Sequence, residues 1–215
     1  MTAPTVPGSD AGLFITLEGG DGAGKTTQSA LLEEWLTDAG RRVVRTREPG
    51  GTEVGRLIRD IVLHHRGEVA ARAEALLYAA DRAHHVETVV RPALERGEVV
   101  IQDRYLDSSV AYQGAGRVLG TDEVRRLSLW ATGDLLPDLT VLLDLDPSIA
   151  RGRLDADDKP FDRLEAERES FHVRVREEFL ALAAAEPARF LVLDATLPPE
   201  ELSAAVRRRV EALLG

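Results

Sequence analysis

The residues with the clearest chemical meaning lie in one glycine-rich loop near the N-terminus. Four of them, Gly19, Gly24, Lys25 and Thr26, match the pattern G-x-x-x-x-G-K-[ST]. In such a loop, small residues let backbone N–H groups turn inward around phosphate oxygens, while the lysine adds charge and the hydroxyl can ligate Mg²⁺. The pattern predicts a nucleoside triphosphate site, assigned to Gly19, Gly20, Asp21, Gly22, Ala23, Gly24, Lys25, Thr26 and Thr27.

The residues on either side of the loop support this prediction. An apolar run over 13–17 precedes it and is typical of a strand, and Leu32, Trp35 and Leu36 follow it at helical spacing. The helix N-terminus would add its positive end to the same site. A chance lysine in a glycine-rich turn is the alternative, and the order strand, loop, helix argues against it.

A second set of polar residues follows the apolar run 98–102. Asp103 comes directly after this run. In phosphate-binding proteins of this kind, that place holds the carboxylate that organises Mg²⁺ and its waters. Arg104, the next residue, would point at the same phosphates. We therefore predict a metal site from Thr26 and Asp103. The run 108–114 mixes small polar and aromatic residues, as a wall that recognises a base would.

Two further segments allow more than one interpretation. After the segment 46–52, Arg56 and Arg59 lie near the start of a predicted helix, where they fit either a second phosphate site or a solvated face. Tyr78 and Arg82 are four residues apart on another predicted helix and therefore share a face. They fit a ring that stacks on a base beside a guanidinium that binds its edge, or a buried aromatic residue beside a snorkelling arginine.

The segment 151–163 is basic, polar and interrupted. It fits a solvated loop or a mobile lid over phosphates. Its basic residues are Arg151, Arg153, Lys159 and Arg163, and Asp157, Asp158 and Pro160 break its helical pattern. The five histidines of the chain have no spacing that indicates a metal site.

Composition excludes several classes of protein. No apolar run approaches the ~18 residues that span a bilayer, and residues 1–11 lack a signal-peptide pattern, so we expect a loose tail there and no membrane partner. The formal charge of −10 argues against a nucleic-acid surface. With no cysteine, disulfides and thiol chemistry are excluded, which fits a cytoplasmic protein.

The order of elements predicts the fold class. Strand-like runs at 13–17, 42–46, 98–102, 139–144 and 190–193 alternate with helical patterns at 25–38, 53–64, 71–96, 121–132, 147–153, 163–186 and 199–213. This alternation predicts one α/β domain over 12–215, a five-stranded parallel sheet with helices on both faces. Ligands should then bind beyond the C-terminal ends of the strands.

Taken together, these segments resemble thymidylate kinase of the bacterial type, a P-loop nucleoside monophosphate kinase. The resemblance spans nearly the whole chain after the tail. The motifs that carry it are G-G-D-G-A-G-K-T-T at 19–27, T-R-E-P-G-G-T at 46–52, A-A-D-R at 79–82, D-R-Y-L-D-S-S-V-A-Y-Q-G at 103–114, P-D-L-T at 137–140 and F-D-R-L-E at 161–165.

The resemblance implies phosphorylation of dTMP to dTDP with ATP and Mg²⁺, in dTTP synthesis for DNA replication, by a homodimeric enzyme that often pairs through long helices such as 71–96. It implies that Lys25, Asp103, Arg104, Arg153 and Arg163 are catalytic. The residues that would bind dTMP are Asp21, Glu48, Arg59, Tyr78, Arg82, Arg104, Ser109, Tyr112 and Gln113.

Within that set the resemblance gives individual roles. Arg59 would hold the acceptor phosphate, and Glu48 would line the site ahead of a cis proline. Asp21 would face the acceptor 3′-OH, because a carboxylate in this loop repels the donor phosphates. Tyr112 would crowd the space of a ribose 2′-OH. Gly22 has no side chain, which is typical of enzymes whose lid, about 151–163, supplies the arginine for the donor phosphates.

Two other functions remain open at this point. One is another P-loop kinase that acts on a different nucleoside or nucleotide, against which the acceptor motifs argue. The other is a GTP-binding switch or an ATP-dependent assembly module. A guanine-reading N-K-x-D motif cannot occur, because the chain has no asparagine.

Overall fold

The computed structural model describes residues 12–156 and 160–215. The predicted tail at 1–11 and the centre of the predicted lid, 157–159, therefore lie outside the described residues. The strands are β1 (Leu13–Glu18), β2 (Val43–Arg47), β3 (Val99–Asp103), β4 (Leu139–Asp144) and β5 (Phe190–Asp194). They form one parallel sheet in the order β2-β3-β1-β4-β5, so the predicted fold class is confirmed.

Helices connect the strands and cover both faces of the sheet. They are α1 (Lys25–Asp38), α2 (Glu53–His64), α3 (Ala71–His85), α4 (Arg91–Glu95), α5 (Leu106–Ser109), α6 (Thr121–Thr132), α7 (Pro147–Ala156), α8 (Glu169–Ala185) and α9 (Pro199–Leu214). Two π-helical turns, Val86–Val90 and Val110–Gly116, extend α3 into α4 and continue α5. None of the helices described is long and apolar enough to cross a membrane.

Alternate residues of the buried strands divide the core into two sides. Ile15 and Leu17 of β1 pack with α1 and α9 on one face, where Leu36 and Val206 are buried. Phe14, directly before Ile15, faces the other side. This alternation is what a parallel sheet with helices on both faces requires. The central strands are thereby covered on both faces, and their C-terminal ends meet at one edge.

The helices differ from the prediction in two places. The pattern at 163–186 begins as a helix only at Glu169, because the Asp162 carboxylate accepts hydrogen bonds from the N–H groups of Leu164 and Glu165 and folds them into a turn. The helical segment 106–116 was not predicted, since its serines, glycines and valine have weak helix propensity. Buried packing against α6 and α8 stabilises it instead.

Candidate active site

A cavity of about 450 Å³ opens at the C-terminal ends of β1, β2 and β3. The glycine-rich loop borders one end, and α3 with the π-helical turn 110–116 borders the other. All three strands therefore deliver residues to the same place, as expected for a parallel sheet. The predicted residues that line the cavity are Asp21, Gly22, Gly24, Lys25, Thr26, Glu48, Arg59, Tyr78, Arg82, Asp103, Arg104, Ser109, Tyr112, Gln113 and Arg153.

The loop after β1 has the backbone that its glycines predict. Gly19 has φ +132°, and a Cβ atom there would lie 2.4 Å from the carbonyl oxygen of Leu143, so only glycine fits. Lys25 begins α1 and folds back, donating from Nζ to the carbonyl oxygens of Gly19 (3.2 Å) and Gly20 (2.7 Å). Burial, with Arg104 nearby, lowers the pKa of Lys25.

Other loop residues serve the fold. Ala23 is buried in the core and Thr27 is exposed on α1, so neither side chain lines the cavity. A Cβ atom on Gly22, with φ +74°, would lie 3.2 Å from the carbonyl oxygen of Ala150 in α7. Close packing of α7 on the loop thus explains why position 22 carries no side chain here.

Asp103 and Thr26, the predicted metal residues, lie together. The Thr26 hydroxyl donates to Asp103 Oδ2 at 3.3 Å, between the end of β3 and the first turn of α1. A carboxylate and a hydroxyl are oxygen donors of the kind that Mg²⁺ takes, with phosphates and waters completing its shell. No group of three or more metal-ligating acids or histidines occurs among the residues described, so the protein alone offers Mg²⁺ only a partial shell.

Arg104 is held in a left-handed conformation, with φ 66°. Its backbone N–H donates to Leu17 at 2.9 Å, which fixes the turn after β3. The guanidinium donates to the carbonyl oxygen of Gly19 (3.0 Å), to Ser108 Oγ (3.1 Å) and to the Asp21 carboxylate. This geometry places Arg104 between the two ends of the cavity.

Asp21 faces Arg104 and Tyr112 on the inner side of the loop. Tyr112 donates its hydroxyl to Asp21 Oδ2 at 3.2 Å. Burial alone would raise the pKa of Asp21, but the charges of Arg104 and Lys25 outweigh it and lower that pKa to about 2. The loop carboxylate is therefore ionised at neutral pH, and its charge is balanced by arginine.

Glu48 and Arg82 form a buried ion pair at the far end. Arg82 Nε donates to Glu48 Oε2 at 2.8 Å, and His85 Nδ1 lies 2.9 Å from Glu48 Oε1. Arg82 also donates to Ser128, Ser109 and the carbonyl oxygen of Tyr105. Four of its five hydrogens thus have partners among the described residues, which leaves one on Nη1 for a ligand. The Glu48–Pro49 peptide is cis.

Gln113 and Tyr78 complete this end of the cavity. Gln113 lies on the π-helical turn and Tyr78 on α3, and both are buried. Burial, followed by the charge of Glu74, raises the pKa of Tyr78, so its hydroxyl stays protonated. We find no hydrogen bond from that hydroxyl to the residues described, which leaves it able to bind a ligand or water.

The predicted phosphate arginines separate in the structure. Arg59 lines the cavity and donates to the carbonyl oxygen of Pro49 at 3.0 Å, whereas Arg56 is exposed on α2 and does not line it. Arg47, which was not predicted, also lines the cavity at the end of β2, beside Asp103 in the sheet register.

The predicted lid arginines also occupy different places. Arg153 of α7 reaches the glycine-rich loop, where Nη1 donates to the carbonyl oxygen of Gly22 at 3.1 Å. Arg163 is turned away from that loop, since it donates to the carbonyl oxygen of Val62 (2.8 Å) and to the buried Glu74 carboxylate. Arg163 does not line the cavity, so the structure brings only Arg153 to the donor end.

Several residues with polar roles escaped the sequence prediction. Glu18 at the end of β1 is buried, and its carboxylate accepts from the N–H groups of Tyr105 (2.8 Å) and Ser108 (3.3 Å). Asp81 of α3 is also buried beside Glu48, and burial with that charge raises its pKa to about 6. Position at a strand end was the available signal for Glu18. The cavity is also lined by Arg47, Leu63, Tyr105, Ser108, Asp162, Leu164 and Glu165.

Comparisons with known proteins agree with this geometry. The family model for thymidylate kinase matches residues 17–206. A thymidylate kinase of Clavibacter michiganensis is 71% identical over 203 residues, which cover 94% of this chain and 96% of the relative. One of Deinococcus radiodurans is 56% identical over 195 residues, covering 91% and 94%.

A solved structure extends the likeness to three dimensions. The crystal structure of thymidylate kinase from Ehrlichia chaffeensis is similar with a TM-score of 0.75 and 31% identity, covering 93% of this chain and 99% of the other. The sequence match and the structural match therefore both cover more than nine tenths of this chain. With a matching family model over most of its length and relatives of such high identity, the chain belongs to the thymidylate kinase family.

Proposed function

We propose that this protein transfers the γ-phosphoryl group of ATP to dTMP, which yields dTDP and ADP. One observation carries the proposal: a single cavity joins the phosphate-binding loop to a buried end lined by Arg82, Ser109 and Gln113. The first end suits a triphosphate and the second suits the polar edge of a base. Membership of the thymidylate kinase family selects dTMP as the acceptor.

The donor end is assigned to the loop and to α1. Lys25, whose ammonium group already lies over the loop carbonyl oxygens, would turn to the β- and γ-phosphates when ATP binds. Thr26 and Asp103 would hold Mg²⁺, directly or through water. The metal, when bound, neutralises charge on the transferring phosphoryl group.

The acceptor end is assigned to α2, α3 and the π-helical turn. Arg59 would hold the dTMP phosphate, and Tyr78 would stack on the thymine ring. Arg82, through its remaining Nη1 hydrogen, and Gln113 would bind the base edge, with Glu48 keeping Arg82 in place. Tyr112 would exclude a ribose 2′-OH, and Asp21 would accept from the 3′-OH.

Positioning and charge account for the reaction. A dTMP phosphate oxygen attacks the γ-phosphorus of ATP in line, and the bond from that phosphorus to the β–γ bridging oxygen breaks, so ADP leaves with both electrons. The attacking oxygen is already ionised near neutral pH, and no general base is needed. Arg104 can contact both phosphates from its position between the cavity ends. Arg153 would approach the donor phosphates as the 151–163 lid closes.

The test is ADP release from ATP–Mg²⁺ in the presence of a panel of nucleoside monophosphates. We expect dTMP to react best and dUMP less well, by a modest factor, because one methyl group in an apolar pocket is worth about 1–3 kcal/mol. Purine monophosphates should be inert. Faster turnover of AMP or CMP than of dTMP would contradict the proposal, and Lys25→Ala serves as the inactive control.

We further infer a homodimer that forms through α2 and α3. The outer face of α2 carries Val54, Leu57 and Ile61 at helical spacing, with 45%, 65% and 46% of each residue exposed, and Leu76 of α3 is 58% exposed. A second copy of the chain would cover these residues, in line with the homodimers that the family resemblance implies. Light scattering should give a dimer mass, and Leu57→Asp should lower it, while Leu213→Asp on α9 should not.

The setting inferred for this activity is the cytoplasm. A chain without cysteine has no thiol to protect or oxidise, which is compatible with a reducing compartment. The product dTDP would serve dTTP synthesis there. Fractionation of cells that express the full chain tests the location directly.

A further inference from the structure

Glu74 is a fully buried acid that none of the roles above uses. It lies on α3, one helical turn before Tyr78, with 0% of the residue exposed. Gln113 Nε2 donates to its Oε1 at 3.0 Å, and Arg117 donates to the same oxygen at 3.3 Å. Arg163 binds its other oxygen. The carboxylate therefore joins the base end of the cavity to Arg117 and Arg163, which come from two other segments of the chain.

The hydrogen bonds of Glu74 determine which way the Gln113 amide points. Both carboxylate oxygens already accept from guanidinium groups, Oε1 from Arg117 and Oε2 from Arg163, so Glu74 acts as an acceptor here. The amide nitrogen of Gln113 must then face Glu74, and its oxygen must face the opposite way. Gln113 lines the cavity, and no described residue donates to its Oε1.

We propose that Glu74 is a positioning residue for base specificity, which acts by presenting the Gln113 carbonyl oxygen to the bound base. An inward oxygen accepts from a pyrimidine that carries a hydrogen on its ring nitrogen, as thymine and uracil do. It repels the bare ring nitrogen of cytosine. This inference deepens the proposed function and rests on it, since it requires that a pyrimidine monophosphate binds at this end.

The same contacts make the amide orientation depend on two arginines from distant segments, Arg117 and Arg163. The turn built on Asp162 packs the Arg163 backbone against α2, where the Arg163 N–H donates to the carbonyl oxygen of Leu63 at 3.2 Å. Arg117 is held from the other side by Glu167. Each arginine is thus held by its own neighbours, and together they fix the carboxylate that orients the Gln113 amide.

The experiment replaces Glu74 with glutamine and measures kcat/KM for dTMP, dUMP and dCMP. Glutamine can turn its own N–H towards Gln113, which frees the Gln113 amide to turn its nitrogen inward. We expect the ratio of dTMP to dCMP activity to fall by about tenfold or more, the size of one good base contact. The ratio of dTMP to dUMP should stay the same, because both bases carry the ring N–H.

Three comparisons make the result decisive. Glu167→Gln removes a carboxylate from the same arginine without touching Gln113, and should leave both ratios unchanged. In a Gln113→Ala background, Glu74→Gln should cause no further fall in the dTMP to dCMP ratio. If Glu74→Gln does not fold, Glu74→Asp keeps the charge for the arginines but is too short to hold Gln113, and should lower the ratio instead.

Failure of the inference can be told from failure of the function. A wild-type enzyme that phosphorylates dTMP, with an unchanged dTMP to dCMP ratio in a folded Glu74 variant, overturns the role of Glu74 alone. A further fall of that ratio in the Gln113→Ala background would also overturn it, since Glu74 would then act by another route. A wild-type enzyme that does not act on dTMP overturns the proposed function itself.

Discussion

Replacing Glu18 with glutamine should stabilise the protein at alkaline pH and have little effect in acid. Glu18 is fully buried at the end of β1, and burial, followed by the negative charge of Asp107, raises its pKa from an ordinary 4.5 to about 7. Hydrogen bonds from Ser108 and Tyr105 and the charge of Arg104 oppose this shift without cancelling it. Glutamine copies the protonated acid, since it can still accept from the Tyr105 N–H.

The two pKa values set the sign and the size of the effect. Between pH 4.5 and 7 the folded protein holds a proton that the unfolded chain has released, so raising the pH through this range lowers the free energy of unfolding. Each pH unit is worth about 1.4 kcal/mol, so the full effect is about 3 kcal/mol. The advantage of the Glu18→Gln variant over wild type should therefore grow by about 2–3 kcal/mol from pH 5 to pH 8.

Urea unfolding of both proteins at pH 5 and pH 8, at one ionic strength and one protein concentration, measures this difference. Other titrating groups cancel between the two proteins, which makes the comparison specific to Glu18. The control is Glu34→Gln on α1, whose exposed carboxylate is solvated in the folded and unfolded states alike. A Glu18→Gln advantage that is the same at both pH values would refute the reasoning.

Four further predictions concern catalysis. Lys25→Ala should lower kcat by at least about 10²-fold, as loss of one charge-stabilising donor does, with an unchanged thermal midpoint; retention of most activity would mean that the loop is not the donor site. Tyr112→Ala should raise activity on ribo-TMP relative to dTMP, and Tyr112→Phe should not, because the ring does the excluding; equal ratios would leave Tyr112 a packing residue. Arg153→Ala should lower kcat by at least about tenfold with little change in the KM for dTMP, because its charge acts on the transition state, although less than an isolated arginine finger. Arg151→Ala is the matched control, and wild-type kcat in Arg153→Ala would exclude this role. Arg163→Ala should mainly raise the KM for dTMP, because Arg163 contacts Glu74 rather than the loop, and a loss confined to kcat would contradict that.

The sheet and the donor end could be predicted because they depend on short-range patterns. Apolar runs of strand length identified all five strands, and the loop at 19–27 carries its own backbone requirements in its glycines. Asp103 and Arg104 were found because a parallel sheet brings its strand ends to one edge. In each case the residues that matter are adjacent in sequence.

The partners of buried charges could not be predicted, since they depend on contacts between distant segments. Arg82 meets Glu48, 34 residues away, and Arg163 meets Glu74, 89 residues away. The local sequence around a glutamate on a helix does not show whether the side chain faces water or pairs with two arginines. The family resemblance named Arg59, Arg82, Arg104 and Arg153, which line the cavity, but it did not name Arg47 or the acids Glu18 and Glu74.

The partners of the site cations indicate how the work is divided among them. Arg104 and Arg82 each pair with a carboxylate, Asp21 and Glu48 respectively, so their positions are fixed and their charges are balanced. Lys25, Arg59 and Arg153 contact backbone carbonyl oxygens, and no ion pair joins them to the other described residues.

A carbonyl oxygen is a weaker partner than a carboxylate, and a phosphate can replace it without leaving an acid uncompensated. The cations bound only to carbonyl oxygens are therefore the ones able to move onto ATP and onto the dTMP phosphate. The paired arginines are suited to tasks that need fixed geometry, the base edge for Arg82 and the line between the two phosphates for Arg104. A site that must release a highly charged product benefits from this separation, because the carbonyl oxygens can take the cations back when the phosphates leave.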